Sequence, residues 1–144
     1  PLLYLSEYLN DHRSEYYARL TTVHDDGDWE GWVTFFLRGV AQTAEAAIRT
    51  IEVTVALVAE HRTLVQTGTS SINPGRMLDL LTRHPIVDAS MVMRELAVSS
   101  PTANSLLRQF VGLELLEETS GQQRDRKYRY APYLDSFDRR RRGI

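Results

Sequence analysis

The chain of 144 residues contains no cysteine. That excludes a disulfide framework, thiolate zinc ligands and a cysteine nucleophile, and it fits a reducing compartment, so the expected location is the cytoplasm. Long apolar runs are also missing. The longest aliphatic stretch, Val53 to Ala59, is interrupted by Thr54 and falls far short of the ~20 residues that span a bilayer, so no membrane role is expected. The opening Pro1-Leu2-Leu3-Tyr4 has neither the basic region nor the small-residue cleavage site of a secretory signal. It also lacks an initiator methionine, and the expectation is a piece excised from a longer protein.

The net charge of −2 hides an asymmetry. Residues 1–70 carry 5 basic and 10 acidic side chains, whereas residues 71–144 carry 12 basic and 9 acidic. The basic residues concentrate late, at Arg124, Arg126, Lys127 and Arg129, then at Arg139 to Arg142. A positive end on an acidic body meets phosphate, an acidic surface or only solvent. For the arginine run the solvated tail is the simplest reading.

Periodicity sets out the helices. Ser6 stands as a cap for a first helix whose apolar positions are Leu9, Tyr16, Leu20 and Val23, with His12 filling the stripe. Asp25-Asp26-Gly27 ends it, and Asp28 caps the next helix. No proline falls between Trp29 and Thr67. Trp32, Phe36, Val40, Ala44, Ala47, Ile51, Val55, Val58 and Val65 form a stripe along this second helix, with a kink expected near Gly39 or Val53–Val55. Its apolar face is longer than the first helix can cover, so either a part of the protein missing from this chain or a second copy covers it, and a homodimer is expected. Trp29, Trp32, Phe35 and Phe36 read as core or helix-contact aromatics, and Tyr16 and Tyr17 as packing residues.

Thr67 to Gly75 has the composition of a linker, so the expected division is a helical part at 1–70, a second module at 71–134 and a basic tail at 135–144. The second module starts with a helix over 76–83, stopped by His84-Pro85. Asp88 caps a helix over 89–96. Ser99 or Ser100 caps a third over 102–111, with Pro101 in its favoured first position. Two strands follow, Leu115–Glu118 and Lys127–Tyr130, joined by a polar turn. Helix, helix, tight turn, helix and hairpin describe a winged helix-turn-helix, and the fold class is mainly α. Ser99, Ser100, Thr102 and Asn104 at the start of the third helix, with Arg108 further along it, are candidate nucleic-acid contacts. Arg124, Arg126 and Lys127 in the hairpin are candidate phosphate contacts. Arg108 is the one basic residue of that helix, which weighs toward a protein-docking module rather than a reader of a specific DNA sequence.

Several stretches resemble a known family. Pro1 to Leu9, His12 to Leu20 and the Gly27-Asp28-Trp29-Glu30-Gly31-Trp32-Val33-Thr34-Phe35-Phe36-Leu37-Arg38-Gly39-Val40 run resemble the C-terminal part of Fic proteins. Ser100-Pro101-Thr102-Ala103-Asn104, Gly112 to Leu116 and Thr119 to Gln122 resemble the winged helix that follows the catalytic domain in many bacterial Fic proteins. The resemblance implies a protein adenylyltransferase that uses ATP and Mg²⁺ to transfer AMP to a hydroxyl of an unidentified target protein. It implies target docking, dimerisation or regulation for the winged helix. The family's H-P-F-x-(D/E)-G-N-G-R loop is absent here, so this chain alone is expected to be inactive and to hold no cofactor. The alternative is a DNA-binding transcriptional regulator. His84-Pro85-Ile86-Val87-Asp88 copies only the start of that loop, and Ala89-Ser90-Met91-Val92 follows in place of the glycines. It reads as a helix end, a break and a cap. His12, His24, His61 and His84 are scattered and suggest no metal site, and Glu117 and Glu118 are strand-end charges.

Overall fold

A computed structural model describes the backbone of residues 4–67, 71–121 and 126–141, and side chains as far as residue 137. The elements run α1 (Leu5–Asp11), α2 (Arg13–Asp26), α3 (Trp29–Gln66), α4 (Asn73–Arg83), β1 (Ile86–Asp88), α5 (Ala89–Leu96), α6 (Ser100–Gly112), β2 (Leu116–Glu118), β3 (Lys127–Tyr130) and α7 (Ala131–Arg141). The chain divides into two compact units, residues 1–52 and 53–144, so the division falls inside α3. Composition had placed the module boundary at the 67–75 linker.

The first unit departs from the periodicity in two ways. The single expected first helix is two, because His12 leaves helical geometry (φ −105°, ψ 32°) between α1 and α2. Its backbone N–H and its ring nitrogen Nδ1 both donate to the Tyr8 carbonyl, at 3.0 and 2.9 Å. Ser6 lies within α1 and does not cap it; Tyr4 takes that place without a side-chain capping bond. The buried face of α3 is also rotated from the expected stripe. Phe35, Gly39, Thr43 and Ala47 are buried, while Phe36 and Ile51 are exposed. The cause is Gly39: a Cβ there would sit 2.5 Å from the Tyr8 ring. The missing side chain lets Tyr8 press onto the helix backbone, with Phe35 beside it at 5.6 Å between ring centroids. In a helix apolar on most sides, close approach rather than hydrophobicity selects the buried face. The corner between α2 and α3 forms as the residues dictate. Gly27 takes the left-handed conformation (φ 70°) that closes α2, and the Asp28 carboxylate accepts the Gly31 N–H at 2.9 Å. Of the aromatic group, Trp29 is exposed and Trp32 half-buried against Tyr16, with Tyr17 in solvent.

The second unit has a closed core. Val65 from the end of α3 joins Met77, Leu78 and Leu81 of α4, Val92 and Leu96 of α5, Leu106, Leu107 and Phe110 of α6, and Leu116 and Tyr130 of the sheet, all at 5% exposure or less. The helix α4 begins at Asn73, with Pro74 in its first turn, so the last part of the expected linker is helical and buried. Asp88 and Ser99 cap α5 and α6 as expected, accepting the Met91 N–H at 2.8 Å and the Thr102 N–H at 3.5 Å. Between them Ala97 adopts φ 54°, the left-handed turn that reverses the chain.

The sheet has three strands in the order β1-β3-β2, all antiparallel. The hairpin strands were expected; β1 was not, because three residues after a proline carry no readable alternation. It pairs Val87 with Tyr128 and Asp88 with Lys127. The Tyr130 N–H continues the ladder to the Pro85 carbonyl at 2.7 Å. Helices packed beneath a small antiparallel sheet after the third helix make this unit a winged helix-turn-helix. Where a basic tail was expected from residue 135, α7 runs to Arg141. Its first turns are anchored by Tyr133 stacking on Tyr130 and by Asp135 accepting from Arg129 at 3.0 Å.

Candidate nucleic-acid interface

The third helix of the module, α6, starts at Ser99, whose hydroxyl is committed to capping and lies 3.0 Å from the Thr102 hydroxyl. Both groups therefore stabilise the helix start. Ser100 is exposed, and its carbonyl and hydroxyl accept from the Asn104 amide at 2.9 and 3.3 Å. Asn104 must exchange those bonds to donate to a base edge. One turn further, Arg108 is exposed and has no carboxylate partner among the described residues.

Asn104 and Arg108 open onto a concavity of about 330 Å³ whose other walls are Asp88, Ala89, Ser90, Arg126 and Tyr128. The structure thus brings three of the expected residues together: Asn104, Arg108 and Arg126. Ser99, Ser100, Thr102 and Lys127 do not line it, and Arg124 lies outside the described residues. The separation of Arg126 from Lys127 follows from the strand, where successive side chains point to opposite faces. Arg126 and Tyr128 share the parity of the concavity. Lys127 and Arg129 take the other, and Arg129 is held between Glu117 at 2.8 Å and Asp135 at 3.0 Å. Those two carboxylates raise the Arg129 pKa. Asp88, Ser90 and Tyr128 were not singled out as wall residues; the period-two pattern Arg126, Tyr128, Tyr130 was the available signal for Tyr128.

Asp88 fixes the electrostatics of this surface. Its carboxylate accepts from the Ser90 hydroxyl at 2.6 Å and the Met91 N–H at 2.8 Å, which holds its pKa below the usual carboxylate value, with the Lys127 charge adding to the effect. The positive end of α5 is therefore already neutralised by the protein's own anion. Attraction for an external anion falls to the Arg108 and Arg126 guanidiniums. Arg126 has a 3.4 Å contact with Glu118, an exposed pair that binds weakly in water.

A buried polar pair supports the hairpin from behind. His61 Nδ1 lies 2.5 Å from the Tyr130 hydroxyl, which donates to it when the imidazole is neutral. Burial lowers the His61 pKa and raises that of Tyr130, so the neutral pair is the folded form.

No group of three or more His, Cys, Asp or Glu able to hold a metal occurs among the described residues. His84 to Asp88 is a helix end followed by strand β1, with Asp88 occupied as a cap, and it offers no cradle for a nucleotide phosphate. No described helix is long and apolar enough to cross a membrane. These features define a winged helix-turn-helix with a mixed polar and cationic surface between its third helix and its hairpin. Residues 74–128 match the model of a known family described as "HTH DNA binding domain". The match starts in α4 and ends in β3, and so contains every residue that lines the concavity.

Proposed function

We propose that the winged helix binds double-stranded DNA, with α6 at the major groove and the hairpin on the adjacent backbone. The observation that carries this reading is the convergence of Asn104, Arg108 and Arg126 on one concavity within the stretch that resembles DNA-binding domains. Arginine can bind guanine through two hydrogen bonds and asparagine can do the same with adenine, so the one-turn spacing of Asn104 and Arg108 suits neighbouring base pairs. Arg126, and Lys127 on the outer face of the strand, supply backbone contacts. With two phosphates neutralised, the logarithm of affinity falls with that of salt with a slope of about −1.8. Fluorescence anisotropy of a labelled duplex, titrated at several salt concentrations, tests this. No binding at low salt rejects the reading.

The resemblance of the N-terminal unit to Fic proteins, carried by the Gly27-to-Val40 run, supports a second proposal. In it the chain is the C-terminal part of a protein adenylyltransferase, and the winged helix guides or regulates that enzyme, as a homodimer. In it, AMP transfer belongs to residues outside this chain, because the family's H-P-F-x-(D/E)-G-N-G-R loop is absent from its sequence. AMP transfer by the 144-residue chain itself would reject that assignment.

A further inference from the structure

The face of α3 left open by α1 and α2 has a pattern of its own. Leu37, Ala41, Ala44, Ile48 and Ile51 recur at alternating spacings of four and three residues, the seam of a two-helix coil. Leu37, Ile48 and Ile51 are 58%, 55% and 45% exposed, and Ala41 is exposed as well. Arg38, Glu45 and Glu52 run along one flank of the seam at seven-residue intervals.

We propose that this seam pairs with its own copy in a second chain, and that the two α3 helices run antiparallel about a two-fold axis at residue 46. The inference rests on the self-association proposed above and is independent of DNA binding. Two features select the direction and the register. In this register Ala41 faces the partner's Ile51 and Ala44 faces the partner's Ile48, so every isoleucine meets an alanine and the helices approach closely. The same register sets Arg38 two residues from the level of the partner's Glu52 on the shared flank of the seam, within reach of its side chain, twice per dimer by symmetry. A parallel pair would stack alanine on alanine in two successive layers and isoleucine on isoleucine in the next two. It would also leave Arg38 and Glu52 at opposite ends of the seam.

The charges already present are compatible with this. Arg38 has only a 4.0 Å contact with Glu15, and no ion pair of Glu52 occurs among the described residues. Glu45, nearest the axis, is accompanied by Arg49 at 3.9 Å on its own helix, which relieves the approach of the two Glu45 side chains. From Leu37 to Ile51 the seam is ~21 Å long. Two such helices bury on the order of 1,000 Å², the lower edge of specific interfaces, so the dimer is reversible.

Sedimentation equilibrium of the full 144-residue chain measures the association. Ile48→Glu, at an exposed position, is expected to weaken it by at least about thirtyfold with helicity unchanged. Arg38→Glu and Glu52→Arg are each expected to weaken it about fivefold, and the double exchange to restore it. Because the chain has no cysteine, oxidation of mixed single variants reads the register directly. Ala44→Cys mixed with Ile48→Cys is expected to cross-link well above either variant alone. Cross-linking of each variant with itself would leave the dimer standing and overturn the antiparallel register. A wild-type chain that remains monomeric would overturn dimer and register together.

Discussion

The two units use similar apolar residues to different ends. In the winged helix, fifteen buried side chains close on one another from four helices and the sheet. Among the described residues of the N-terminal unit the buried apolar side chains are Tyr8, Phe35 and Ala47, while Val33, Leu37, Ile48 and Ile51 stay in solvent. The difference is one of geometry. Short helices at steep angles enclose a volume, whereas a 38-residue helix offers more surface than α1 and α2 can cover. Unit 2 is stabilised from within, and unit 1 leaves apolar side chains in solvent.

That contrast sets the sizes of the mutational effects. Phe110→Ala, in the closed core, is expected to cost about 3–5 kcal/mol in urea unfolding. Phe36→Ala, at the surface of unit 1, is expected to cost far less, and equal losses would break the contrast. Gly39→Ala is expected to cost about 1–3 kcal/mol, since Tyr8 occupies the space of the new methyl group. Arg108→Ala is expected to weaken duplex binding about tenfold in anisotropy titrations with no change in melting temperature. Asp88→Ala removes the α5 cap and is expected to cost about 1 kcal/mol.

The smallest expected effect is a pH dependence confined to the winged helix. The His61 pKa is lowered in the folded chain, so the unfolded chain binds more protons near and below the ordinary histidine value of 6.5. The His61 contribution is complete above that value and declines as pH falls through it. Thermal melts at neutral and mildly acidic pH, for the wild type and for His61→Gln, read this. A wild-type slope that survives the substitution assigns it to another group.

Much of the winged helix was legible because its punctuation is local. Asp88, Ser99-Pro101 and Pro85 each act on the next few backbone positions, and the structure uses all three as the sequence suggests. What was not legible depends on contacts distant in the chain. Strand β1 exists because β3 pairs with it, and α7 is held by Arg129 and Tyr130. The buried face of α3 was misjudged because it is set by one absent Cβ opposite Tyr8, which periodicity does not register. At the candidate interface the residue types were readable. Which of them share a surface was not, since that depends on strand parity and on Asp88 filling the end of α5.

Tyr130 carries one more consequence. Its backbone extends the ladder to Pro85, its hydroxyl reaches His61 and its ring lies on Tyr133. The inner end of β3 is thereby clamped on three sides, four residues from Arg126. The span between that arginine and Arg108 is thus set within the folded module. On the proposed DNA-binding reading, a duplex whose groove and backbone match that span binds as it stands, and one that does not must itself deform.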